Sequence, residues 1–244
     1  MDASGAAATA ARSQFRDELL RLEEQTVVGL DLVILQLDRA LESLRHQDVE
    51  LAATVVADDD RIDDRYLQVH HGVLSLLGQQ APSEDDWRLV AALLQIMRCV
   101  ERMGDQCVNI STLVPLSGHE PPRDLTLLEL VDRMGRDARQ QVVHAKESFR
   151  TRHVALAKEL VREDAEVNRL NREIFQRGVD IGDDHEVREW AMFMCLVARC
   201  LERIGDNTID IAEQTVFVVT GSFHNWHFHH GGPSADAASG GTGI

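Results

Sequence analysis

Two short stretches carry the side chains best placed to do chemistry. Residues 98–105 read RCVERMGD and residues 199–206 read RCLERIGD, identical at six of eight positions, with the other two exchanging one apolar residue for another. Each contains a Glu four residues before an Asp, Glu101 with Asp105 and Glu202 with Asp206, and the same step then reaches Asn109 and Asp210. On a helix, positions i and i+4 share one face. Like charges at that spacing repel by roughly 0.2–0.5 kcal/mol per exposed pair, so partial burial calls for compensation. A bound cation with hard oxygen ligands is one direct form of it, and Mg, Mn, Ca or Fe suits such donors. Ion pairing with Arg98 and Arg199, or simple solvation of an acidic face, is the other.

Gly104 and Gly205 sit beside the Asp in each copy. A mid-helix Gly costs about 0.8–1.0 kcal/mol relative to Ala, so its recurrence predicts close approach of a neighbouring helix. The neighbour is readable too. Residues 49–63, VELAATVVADDDRID, align with 154–168, VALAKELVREDAEVN, which matches Asp59 and Asp63 to Asp164 and Asn168. Copy one pairs Asp63 with Asn109, and copy two pairs Asn168 with Asp210. Each copy thus holds four carboxylates and one amide over five matched positions, the balance expected of a site with a fixed charge.

The elements that must position these residues are helices. Phe15, Leu19, Leu22, Thr26, Gly29, Val33, Leu37, Ala40 and Leu44 step by threes and fours, as do Ile62, Tyr66, Val69, Val73 and Leu76. Ser83 is a candidate N-cap for a third helix reaching about residue 114, and the segment PLSGHEPP (115–122) breaks the chain. The pattern then restarts, with helices expected over about 124–150 and 152–178, a turn at 182–184, and a last helix through Ala191, Met194, Ala198, Leu201, Gly205, Thr208, Ala212 and Thr215. Three amphipathic helices with short loops bury their faces only against one another. The fold expected is all-α: two tandem three-helix bundles, six long antiparallel helices, related by internal duplication. Residues 12–115 and 123–221 form the bundles, with 1–11 and the His/Gly-rich tail 222–244 expected to be disordered.

Composition narrows function. The 244 residues carry a formal net charge of −16, which disfavours a nucleic-acid partner. The longest apolar run, 190–198, is far short of the roughly 20 residues that span a bilayer, so direct membrane insertion is not expected. Cys99, Cys107, Cys195 and Cys200 form no CxxC pair and read as reduced, buried thiols, which points to the cytoplasm. The tail HNWHFHH (224–230) has the composition of a transition-metal binder. No P-loop, nucleophile elbow or Glu-x-x-His is present, so no catalytic residue is assigned.

The doubled ER-hydrophobic-GD signature, each copy following an apolar helix, resembles the PhoU family of phosphate-signalling regulators. The resemblance spans about residues 12–221 and includes QLDRALESLRHQD (36–48) and TVFVVTG (215–221). It implies two bundles about a pseudo-two-fold axis and a capacity of Glu101, Asp105, Glu202 and Asp206 to bind metal, with Mg, Mn, Fe, Zn or Ni as candidates. Asn109 matches the family's pattern and Asp210 departs from it. It further implies a non-enzymatic negative regulator of phosphate uptake and the phosphate-starvation response. Such an adaptor links a phosphate ABC transporter ATPase to a sensor histidine kinase, peripheral to the inner membrane and homodimeric in one reading. The alternative is a metal-storage or metal-dependent hydrolytic protein that uses the two carboxylate clusters.

Overall fold

The computed structural model describes residues 3–78, 83–118, 124–223 and 226, and all the regular structure among them is helical. Seven helices follow in order: α1 (Ala3–His46), α2 (Val49–Asp58), α3 (Asp60–Leu77), α4 (Glu84–Leu113), α5 (Leu125–Thr151), α6 (Val154–Val179) and α7 (His185–Thr220). Helices α1 to α4 make the first bundle and α5 to α7 the second. Helix α4 packs on α7 and α1 on α5, so one continuous apolar core joins the two.

The helix ends are set by side chains. Asp48, Asp124 and Asp184 accept backbone N–H bonds as N-caps. Ser83 caps α4 as expected and closes a capping box with Asp86. Gly221 ends α7 in the left-handed conformation, at φ 72°.

Two elements differ from expectation. Residues 3–11 are helical rather than disordered, because an Ala-rich run propagates a long helix at little cost once the helix exists. The second rod of the first bundle is interrupted at Asp59, where α2 gives way to α3. Asp59 keeps helical dihedrals (φ −62°, ψ −33°), so the interruption is a slip in the hydrogen-bond ladder rather than a corner. The three successive aspartates explain it: the slip places Asp60 and Asp63 in the first turn of a new helix, where the dipole favours negative charge. The equivalent α6 is continuous. His224, His227, His229 and His230, in the tail expected to be disordered, lie outside the described residues.

All four cysteines are free and buried, as the sequence suggested. Burial raises each thiol, which leaves them inert as nucleophiles. No described helix is long and apolar enough to cross a membrane.

Candidate functional site

The α3–α4 hairpin brings four of the first copy's five expected residues together. Asp59, the N-cap of α3, and Asp63 come from one helix of the hairpin, Glu101 and Asp105 from α4. Burial, then the charges of Asp105 and Asp63, raises the Glu101 carboxyl above its usual range. Burial followed by Asp59 and Asp63 raises Asp105, and burial followed by Asp59, Asp60 and Asp64 raises Asp63. Arg98 and Arg102 oppose the shift at Glu101 without cancelling it. Asn109 is exposed one turn beyond Asp105.

The repeated glycines mark the close approach that the sequence implied. A Cβ on Gly104 would lie 3.0 Å from Asp59 Oδ1 and 3.1 Å from Ile62 Cδ1. On Gly205 it would lie 2.9 Å from Gln141 Oε1 and 3.1 Å from Asp164 Oδ1. In the second copy Asp164 is buried, and Asn168 Nδ2 donates to its Oδ2 at 2.7 Å. Glu202 is half-buried and ion-paired with Arg199. Asp206 and Asp210 are half-buried on the same helix.

Sequence reading missed a third contributor, the glutamine that the first helix of each copy sends into the site. Gln36 is 5% exposed, and its Nε2 donates to Asp59 Oδ1 at 2.9 Å and to the Val55 carbonyl at 3.3 Å. Its counterpart Gln141 is fully buried, and neither amide atom finds a partner. The signal was present. Gln36 and Gln141 lie 105 residues apart, the same offset that aligns 49–63 with 154–168. That offset also relates Arg39, paired with Asp58 at 2.7 Å, to His144, paired with Glu163 at 2.7 Å. The two pairs tie first to second helix at matching places.

The donor set at both sites is oxygen-only, which suits hard cations; Cys99 and Cys200 turn into the core and add no ligand. Among the described residues, no three His, Cys, Asp or Glu side chains converge closely enough to hold a metal ion. The carboxylates are electrostatic neighbours rather than a preformed chelate.

A duplicated three-helix bundle with an acidic site on each second-to-third helix pair defines the class of protein. The PhoU domain family model matches residues 30–114 and again 131–215, and the chain belongs to the PhoU family. It is 26% identical over 213 residues to a phosphate-specific transport system accessory protein PhoU homolog of Clostridium acetobutylicum, covering 86% of this chain and 96% of that protein. A Zymomonas mobilis protein of the same description is 31% identical over 196 residues, covering 78% of this chain and 80% of that one. Among solved structures, the phosphate transport system regulatory protein PhoU of Streptococcus pneumoniae superposes with a TM-score of 0.80 at 22% identity, covering 86% of this chain and 99% of that one. PhoU of Pseudomonas aeruginosa gives 0.75 at 24%, covering 85% and 100%. These two establish the fold.

Proposed function

We propose that the protein is a regulator of phosphate uptake that works by binding partners rather than by catalysis. The observation that carries this reading is the double PhoU domain match, spread over nearly the whole folded region. The curated relatives, described as accessory proteins of phosphate-specific transport, agree with it. The site chemistry agrees as well: the carboxylates cluster without an activated nucleophile, and the buried thiols are held protonated. The finer proposal is an adaptor in the cytoplasm between the ATPase of a phosphate ABC transporter and a sensor histidine kinase, restraining the starvation response when phosphate is ample.

Metal binding belongs to the proposal. A hard cation such as Mg, Mn or Fe would be held by Asp59, Asp63, Glu101, Asp105 and Asn109 in the first copy, and by Asp164, Asn168, Glu202, Asp206 and Asp210 in the second. The absence of His and thiolate ligands among these residues favours these ions over Zn or Ni. The bound charge would relieve the carboxylate repulsion at the first site. The direct test of the adaptor role is co-purification of the full chain with the ATPase and with the cytoplasmic part of the kinase, at high and low phosphate. Phosphate-dependent binding to both supports the proposal; binding to neither contradicts it.

A further inference from the structure

The α3–α4 hairpin carries more than its acidic end. Along α3, Asp59, Asp63, Tyr66, His70 and Leu74 step by threes and fours, which sets them in one stripe. Along α4, Leu94, Arg98, Glu101 and Asp105 do the same, and Trp87 lies two turns before Leu94 on that face. Gly72 packs against Leu22 of α1, whereas Gly104 packs against Asp59, so the Asp59 edge of α3 is the edge that borders α4. The two stripes therefore lie side by side. Because the helices of a hairpin run in opposite directions, their ends coincide: carboxylate beside carboxylate at one end, Leu74 beside Trp87 at the other. Leu74 is 55% exposed, Trp87 49% and the adjoining Leu67 48%. Asp63, Glu101 and Asp105 make no ion pair among the described residues.

The second bundle repeats the arrangement in part, with Arg172 and Arg188 standing where the first has Leu67 and Trp87. Phe175 and Val179 occupy the places of His70 and Leu74 and are 44% and 79% exposed. Leu67, Leu74 and Trp87 exposed together at one end of the hairpin, with an exposed apolar residue kept at Val179 in the second copy, are unlike the scattered single hydrophobics of an ordinary surface.

We propose that the α3–α4 face is a docking seat for an amphipathic helix of a partner protein, apolar toward Leu74 and Trp87 and rich in Lys or Arg toward Asp63, Glu101 and Asp105. The distance along α4 from Trp87 to Asp105, eighteen residues at about 1.5 Å each, is roughly 27 Å, the length of a five-turn helix. Charge selects the occupant. A second copy of this chain, at −16, would set acidic end against acidic surface, and anionic lipid would be repelled equally. A basic amphipathic helix satisfies both ends at once, in the helix-in-groove manner of recognition. This inference rests on the partner-binding reading of the protein and names the surface involved.

The test uses the purified full chain and a synthetic eighteen-residue helix with Leu along one half and Lys along the other. Trp87 fluorescence, which shifts to the blue as water leaves the ring, reads binding, and Trp87→Phe identifies that signal. The expected result is saturable binding that weakens at least ten-fold in L67S/L74S and in D63N/E101Q/D105N. It changes less than two-fold in E50Q/D60N/D64N, which removes three carboxylates outside the two stripes. No binding of the Lys helix, equal binding of a Glu-for-Lys version, or equal weakening by both triple variants overturns the seat. Because the titration needs no cellular partner, its failure leaves the regulatory role standing. That role is decided separately, in cells.

Discussion

Identical substitutions at Gln36 and Gln141 are expected to have opposite effects on stability. The two glutamines hold equivalent positions on the first helices of the repeats, yet their hydrogen bonding differs. Gln141 buries both amide atoms without a partner. A buried polar group left unsatisfied costs about 1–3 kcal/mol, and replacement by an apolar group of the same shape recovers much of that. Met matches Gln in length and flexibility, so Gln141→Met should stabilise the protein by about 1–3 kcal/mol. Gln36 also leaves its Oε1 without a partner, but its Nε2 donates to Asp59 Oδ1 and to the Val55 carbonyl. Gln36→Met removes a bond to a carboxylate and strands a buried carbonyl, for a loss of about 1–2 kcal/mol after water reaches the half-exposed Asp59. Urea denaturation read by circular dichroism gives the answer as midpoints moving apart at constant slope. In thermal melts each kcal/mol is worth roughly 2–4 °C for a chain of this size. Shifts of the same sign in the two variants would refute the reasoning, since only the difference in partners distinguishes the sites.

Further outcomes follow from the same geometry. Gly205→Ala should destabilise by about 1 kcal/mol net, because overpacking of roughly 1–3 kcal/mol against Gln141 and Asp164 exceeds the helix-propensity gain of about 1. Gly29→Ala, whose nearest neighbours stand 3.3 Å or more away, should be close to neutral in the same urea titration. Ser83→Ala opens the capping box of α4 and should cost about 0.5–2 kcal/mol by chemical denaturation. The raised carboxyls of Asp63, Glu101 and Asp105 bind protons more tightly folded than unfolded. Their ionisation therefore destabilises the fold: fully above the folded pKa values, and not at all below the unfolded values near pH 4. E101Q/D105N should accordingly exceed the parent in stability at pH 7, and the advantage should vanish as pH falls to about 4. An advantage that persists at pH 4 would assign it to packing instead. Manganese titrated into the full chain should raise its melting temperature, and the same double substitution should remove the first site's share of that rise.

The duplication was legible because eight residues around each glutamate survive almost unchanged. The glycines announced close approach because a mid-helix Gly is costly and recurs in both copies, and the structure shows Asp59 and Gln141 as what approaches. The glutamines went unread although their 105-residue offset was available, because a lone Gln on a helix carries no chemistry until its neighbours are known. Whether such an amide finds a partner depends on a side-chain torsion that no spacing encodes. The slip at Asp59 was similarly hidden: the aligned stretch 154–168 forms a continuous helix with the same periodicity, and only the local run of three aspartates separates the two. At the N-terminus, a composition of Ala, Ser and Gly suggested disorder, where the Ala content instead extends α1.

The most direct test of a role in phosphate regulation is made in the source organism, with a phosphatase reporter of phosphate starvation in a strain lacking this gene, grown in ample phosphate. The expected result is a reporter switched on without starvation and silenced again by the intact gene. A reporter that stays silent in the deletion strain would contradict a non-redundant role in phosphate regulation.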